Sequence, residues 1–201
     1  MLINAVVLKF TLPVFKEVLP YLPATCILSD IASVKTGLEE FYRESGFRFV
    51  STHPMFGPTF ANLKDLGQQH AIIITESDHL GKAFFKDFYS SLGVNIHDFT
   101  FDEHDQTTAY SLSIPFASTL VFAACMKKQK APGTTFKKHF DVARGLLSED
   151  DFLLTEILLN PYTLEQVEKI GEELKILQNL IRDKDSDGLR QFLSKVRANI
   201  Q

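Results

Sequence analysis

The chain has no tryptophan, only two cysteines, and no G-x-G-x-x-G run among its ten glycines. Cys26 and Cys125 lie far apart, one in a strand-like run and one in a helix-like run, without metal-ligand or redox spacing. That excludes a disulfide framework, and both read as small core residues in a reducing compartment. The missing glycine pattern leaves the sequence without the usual phosphate-cradling strand–turn–helix. Basic residues never gather: the formal net charge is -4, and the longest basic stretch, Lys127-Lys128-Gln129-Lys130, reads as a solvated helix end. No nucleic-acid partner is expected from such a surface. There is no basic leader with a cleavage site, and no uncharged apolar run is expected to reach about 18 residues, so the chain reads as cytoplasmic, without a membrane partner.

What is present is an ordinary core. Hydrophobic residues make up 45% and charged residues 23% of the 201, enough for one large domain or two small ones. The 18 phenylalanines signal core packing and nothing more specific. Leu2 to Leu8 is already a buried-strand pattern, as in a chain that begins in the middle of a fold. Short β-branched or aromatic runs predict strands at residues 2–8, 26–30, 48–53, 71–76 and 95–101. Helices fit 11–22, 34–45 and 79–92, with Pro13 at the start of the first and Gly46 and Gly93 as C-cap glycines. Such alternation predicts a parallel, doubly wound sheet covered by helices.

After residue 101 the period changes. Helices are predicted near 102–128, 134–148, 150–160, 163–184 and 186–199, broken at Lys130-Ala131-Pro132-Gly133 and Asn160-Pro161. Leu164, Val167, Ile170, Leu174, Leu177 and Ile181 form one long amphipathic stripe, suited to an internal core or to a subunit interface. The expected organisation is an α/β half over residues 1–101 and an all-α half over residues 102–201.

The most distinctive run is Phe49-Val50-Ser51-Thr52-His53-Pro54-Met55-Phe56-Gly57-Pro58-Thr59-Phe60-Ala61. It puts a histidine where an apolar strand ends, with Pro54 and Pro58 restricting the backbone and Gly57 permitting close approach of a ligand. Ligands of open parallel sheets bind at the carboxyl ends of the strands. An imidazole titrates near neutrality, which makes His53 the candidate general base. The plainer alternative is a histidine capping a strand–loop junction. Upstream, in Asp30-Ile31-Ala32-Ser33-Val34-Lys35, Ser33 is also a natural N-cap for a helix beginning at Val34. Downstream, Glu103-His104-Asp105 follows the last strand, and Asp102 to Asp105 reads like a capping box, so a structural role for His104 competes with a functional one. His70, His79 and His97 have no partner at informative spacing and read as surface or element-end residues. No cluster has the spacing of a metal site.

These three runs, in this order, resemble the prephenate and arogenate dehydrogenases of tyrosine biosynthesis, and the resemblance extends over nearly the whole chain. It implies a partial Rossmann-like, mainly parallel sheet followed by a helical domain that binds substrate and pairs with a second copy as a homodimer. It implies NAD or NADP as cofactor and the oxidative decarboxylation of prephenate or arogenate. In that reaction His53 would accept the ring hydroxyl proton as hydride leaves the same carbon. The resemblance further implies catalytic roles for His53 and Ser33, and substrate binding by Arg144, Ser113, Gly57, Thr59 and His104. Val6, Val7, Ser33 and Lys35 would touch the cofactor, and Lys137, Lys138 and His139 are fallback candidates for the role of Arg144.

The sequence departs from that pattern in three places. Where relatives carry a second histidine beyond the Glu-His-Asp run, this chain has Ser113 and Phe116, with Pro115 expected to kink the helix. Thr59 stands where relatives often have an acidic residue. The glycine fingerprint is absent, so weak binding of free dinucleotide and low activity are expected of this polypeptide alone. The alternative is a non-catalytic binding or regulatory module that keeps the substrate pocket and the dimer interface.

Overall fold

The structure is a computed structural model that describes residues 1–57 and 65–201. Pro58 and Thr59, both singled out in the sequence, lie outside the described residues. Five strands, β1 (Leu2–Asn4), β2 (Ile27–Asp30), β3 (Arg48–Pro54), β4 (His70–Ile74) and β5 (Asn95–Phe99), form one sheet in simple sequence order. Three of its pairings are parallel, while β3 and β4 run antiparallel with His53 opposite Ile72. The sheet is thus mainly parallel, but it is neither wholly parallel nor doubly wound within the described residues. An isoleucine-rich run buried on both faces has no polar alternation from which its direction can be read.

Alternation along β4 explains the two-layered cover. Ile72 and Ile74 point to one face, where they pack with Phe15 of α1 (Thr11–Val18), Phe41 and Tyr42 of α2 (Leu38–Ser45) and Phe101 at the start of α4 (Phe101–Thr108). Ala71 and Ile73 point to the other face, against Phe85 and Tyr89 of α3 (His79–Ser91). α3 lies so close to the sheet at Gly81 that a Cβ there would sit 2.6 Å from Cβ of Val50. A clash with a strand-borne β-branched residue cannot be relieved by a rotamer change. Gly81→Ala should therefore cost about 1–3 kcal/mol in urea denaturation, the scale of core overpacking.

The predicted boundaries fail where polar side chains redirect the backbone. β1 stops at Asn4 instead of continuing to Leu8, because the Asn4 amide donates to the Thr11 carbonyl and its oxygen accepts from Val6 N, turning the chain. The helix expected from Val34 starts only at Leu38, after Gly37 in the left-handed region with φ of 73°. Ser33 is therefore not its N-cap. Gly46 and Gly93 do adopt positive φ at the ends of α2 and α3, as C-cap glycines should. At α4 the capping box is Thr100 with Glu103 rather than Asp102 with Asp105, and Thr100 ends the last strand before residue 101.

From Phe101 onward every regular element is helical. α4 leads into a π-helical turn at Ala109–Ser113 and then α5 (Ile114–Cys125), followed by α6 (Thr134–Leu146), α7 (Asp151–Leu158), α8 (Thr163–Arg182) and α9 (Ser186–Ala198). The π turn ends two residues before Pro115, which has no N–H to donate and whose ring crowds the preceding turn. Residues 106–126 carry no charge, so an uncharged run longer than expected is present. By length and composition alone, the helix Phe101–Cys125 suffices to cross a membrane. No residue of α5 is buried.

Candidate active site

β3 delivers His53 to the end of the sheet at which β1 and β2 also finish, since Asn4, Asp30 and Ser51 are in register. Beyond it lies a cavity of about 560 Å³ between the sheet and the helices. The sheet side contributes Ser33, His53, Met55, Phe56, Gly57 and Gln69. The helical side contributes Leu112, Phe116, Leu146, Glu149, Leu153 and Ile157, a wall that is apolar apart from one carboxylate.

His53 is only 5% exposed, and His104 behind it is fully buried. Nδ1 of His53 lies 2.9 Å from Nε2 of His104, and Nδ1 of His104 lies 2.9 Å from Oδ1 of Asp105. A carboxylate only accepts, so His104 carries its proton on Nδ1 and offers the Nε2 lone pair. His53 must then donate through Nδ1, which leaves its Nε2 lone pair unprotonated. The start of α4 that carries this pair is fixed by the Thr100 capping box and by Asn160, whose amide donates to the Asp105 carbonyl at 3.0 Å.

Beneath the histidines sits a buried ion pair. Lys35 Nζ donates to Asp30 Oδ1 at 2.6 Å and to the Thr52 carbonyl at 2.8 Å, while Tyr42 donates its hydroxyl to Asp30 Oδ2 at 2.7 Å. Burial lowers the Lys35 pKa against the opposing pull of Asp30. Burial likewise pushes His53 well below the ordinary imidazole range, and the neighbouring His104 ring and Lys35 ammonium act in the same direction. His104 is lowered mainly by burial, with Asp105 pulling the other way.

Both rings are thus neutral in the folded protein at pH 7. Their stabilising effect is complete above the unfolded imidazole value of about 6.5 and is lost as pH falls from there toward the folded values, because only the unfolded chain takes up the protons. The melting temperature should fall below pH ~6.5, and the slope should lessen in His53→Gln.

The structure sorts the residues proposed from sequence. His53, Ser33 and Gly57 share the cavity. His104 does not reach it and touches it only through His53, which corrects its expected contact with substrate. Lys35 is 3% exposed and spent on Asp30 and Thr52, so it is not available to a cofactor. Ser113 is buried against Thr163, with 2.7 Å between hydroxyls, and Phe116 takes the cavity-facing position instead. Arg144 lies on the exposed side of α6, bonded to Asp141 at 3.0 Å and set over the Phe140 ring, away from the cavity. Lys138 and His139 line a separate cleft with Phe122 of α5, and Lys137 lines neither. Val6 and Val7 are exposed beyond β1 and line no part of the His53 cavity. His70 and His97, read as surface or element-end residues, are exposed and meet at 2.9 Å across β4 and β5.

Sequence reasoning missed Asp105 as the anchor of His104 and Glu149 as a cavity residue. The first had a signal in the adjacent His-Asp pair. The second had none, because only the fold carries the turn after α6 over the end of β3.

An open, mainly parallel sheet with a cleft at the ends of its parallel strands, roofed by helices, has the architecture of a Rossmann-like fold followed by a helical part. Residues 1–95 match the model of the prephenate dehydrogenase nucleotide-binding domain. The probable arogenate/prephenate dehydrogenase of Methanocaldococcus jannaschii is 24% identical over 210 residues, covering 96% of this chain and 46% of that protein. The chain therefore spans about half the length of the curated relative it matches. Among solved structures, prephenate dehydrogenase from Aquifex aeolicus in complex with hydroxyphenyl propionate and NAD+ superposes with a TM-score of 0.81 at 17% identity, covering 98% of this chain and 74% of that one. Synechocystis arogenate dehydrogenase superposes at 0.74 with 20% identity, covering 98% and 76%. The family model over residues 1–95 and the curated relative carry the sequence likeness to prephenate/arogenate dehydrogenases, and the two solved structures share the fold.

Proposed function

We propose that this chain carries the substrate-handling part of an NAD(P)-dependent prephenate or arogenate dehydrogenase, with His53 as the base. The observation that carries this reading is the Asp105–His104–His53 chain of hydrogen bonds, which leaves a bare imidazole nitrogen on a ring lining a cavity of substrate size. Nε2 of His53 accepts the proton of the ring hydroxyl, and the Ser33 hydroxyl on the same wall orients that group. The apolar helical wall, with Leu112 and Phe116, packs on the ring and keeps water from the reacting carbon. A bound nicotinamide dinucleotide supplies the acceptor for the hydride that leaves the hydroxyl-bearing carbon, and loss of carbon dioxide makes the ring aromatic.

The described residues fit such a cofactor only in part. The exposed Val6 and Val7 and the cavity-lining Ser33 sit at the carboxyl end of the parallel strands, where a nicotinamide ring belongs. They provide no glycine-rich phosphate turn, and Lys35 is engaged elsewhere.

Residues 1–101 serve as the nucleotide-binding part and residues 102–201 as the substrate-binding and dimerisation part, in a cytoplasmic homodimer. The unburied apolar helix α5 supports a second copy as its cover. The test is a calorimetric titration with prephenate and with arogenate, with and without NAD+, alongside His53→Ala. Binding of either acid that weakens in the variant is expected. A folded protein that binds neither would overturn the reading in favour of a non-catalytic module.

A further inference from the structure

A second pair of histidines lies outside the His53 cavity. Nδ1 of His70 is 2.9 Å from Nε2 of His97, and both residues are exposed, whereas His53 and His104 are buried beyond the reach of a hydrated ion. Parallel pairing of β4 with β5 sets Ile72 opposite His97, and strand alternation puts His70 on the same face as Ile72. The two rings are therefore diagonal neighbours at the side of the sheet where β5 is the edge strand. The backbone that carries them is fixed. Asn95 donates its backbone N–H to the Gln69 carbonyl and its side-chain amide to the carbonyls of Gly67 and Gln69, while the His70 carbonyl accepts from Met55 N–H.

A contact between two neutral imidazoles sets one N–H against one lone pair. Moving that proton to the far nitrogen of the same ring leaves both rings neutral, with two lone pairs on the facing side. Two imidazole nitrogens bound to one metal ion at about 2.0–2.1 Å stand about 2.9 Å apart when they subtend a right angle, and about 3.3 Å apart at the tetrahedral angle. The His70–His97 separation matches the right angle. We propose that His70 and His97 form a surface site for a divalent transition-metal ion of tetragonal preference, Cu²⁺ before Ni²⁺, as two adjacent ligands. No group of three or more His, Cys, Asp or Glu suited to a metal gathers among the described residues, so water fills the other positions. On binding, the ion sheds two waters for the two nitrogens, and a modest turn of the exposed rings aims both lone pairs at it. The bridge ties edge strand β5 to β4 beside Gln69 and Met55, which line the His53 cavity. The site stands or falls apart from the reading of that cavity.

The test is a calorimetric titration of Cu²⁺, Ni²⁺ and Zn²⁺ into the untagged protein and into His70→Gln and His97→Gln, with exposed His79→Gln as the control. Copper electron paramagnetic resonance identifies the bound nitrogens. One Cu²⁺ per chain is expected to bind in the micromolar range, tighter than Ni²⁺ or Zn²⁺, with two imidazole nitrogens in its spectrum. Either substitution in the pair should weaken it by about tenfold or more, at least what the loss of a supporting contact costs a metal site, while His79→Gln leaves it unchanged. No binding, a spectrum with fewer than two imidazole nitrogens, or an affinity that survives both substitutions would overturn the site. The wild-type spectrum decides the matter even where a variant fails to fold.

Discussion

Asp30→Ala should destabilise the protein by about 3–5 kcal/mol, among the largest single-residue effects in the molecule. The carboxylate is fully buried and answers three donors: the Lys35 ammonium, the Tyr42 hydroxyl and the Ala32 N–H. Removing it leaves the Lys35 charge in the interior with the Thr52 carbonyl as its remaining recorded acceptor, and strands the Tyr42 hydroxyl. The cost comes from the orphaned charge rather than from the lost attraction, since a buried ion pair gains little over apolar residues of the same volume. A double variant separates the two. Asp30→Asn with Lys35→Met keeps an oxygen to accept from Ala32 N–H and turns its amide N–H toward the Tyr42 hydroxyl oxygen, which can accept it, while deleting both charges, and should recover most of the stability. Urea denaturation of the single and double variants measures the coupling. A cost for Asp30→Ala below about 1 kcal/mol would mean that the pair behaves as a solvated surface bridge.

On the proposed reading of His53 as the base, Asp105→Asn should lower kcat/KM by about 10²–10⁴-fold, the contribution of a positioned general base, in turnover assays with NAD+ and whichever acid binds. An amide placed where the carboxylate was can donate to Nδ1 of His104, which then holds its proton on Nε2. That proton points at Nδ1 of His53, and the bare lone pair of His53 moves away from the cavity. The base is still present and still neutral, but its proton is in the wrong place. Nitrogen NMR of the ring reports the tautomer directly, without turnover. Asp105→Glu, which keeps the charge, should restore part of the effect. A wild-type tautomer and rate in Asp105→Asn would sink the hydrogen-bonded chain as the device that prepares His53.

Much of this was legible in the sequence. Periodicity located all five strands and the helices after residue 101, because amphipathic stripes and strand-sized apolar runs are set by which face is buried. The place of His53 at a strand end was legible from the apolar run before it and the proline after it. What escaped were outcomes of tertiary competition. Lys35, five residues from Asp30, looked like a cofactor contact, but the collapse of β2 onto β3 made Asp30 its nearest partner. Ser113 turned from the cavity that Phe116 lines, and Arg144 faced away, because the phase of a helix relative to a distant cavity depends on packing that no local pattern encodes. The His53–His104 contact spans 51 positions and two elements.

The π turn at Ala109–Ser113 has a consequence for that phase. It holds one more residue per turn than the α-helix on either side, so the helix beyond it is rotated by about 100° relative to an uninterrupted one. Phe116 meets the cavity, and Ser113 meets Thr163, through that offset. Exchanging side chains leaves the offset intact, whereas removing a single residue from the turn would swing α5 round and present a different strip of it to the cavity and to any second copy. On this wall the shape of the site is written in the number of residues as much as in their identity.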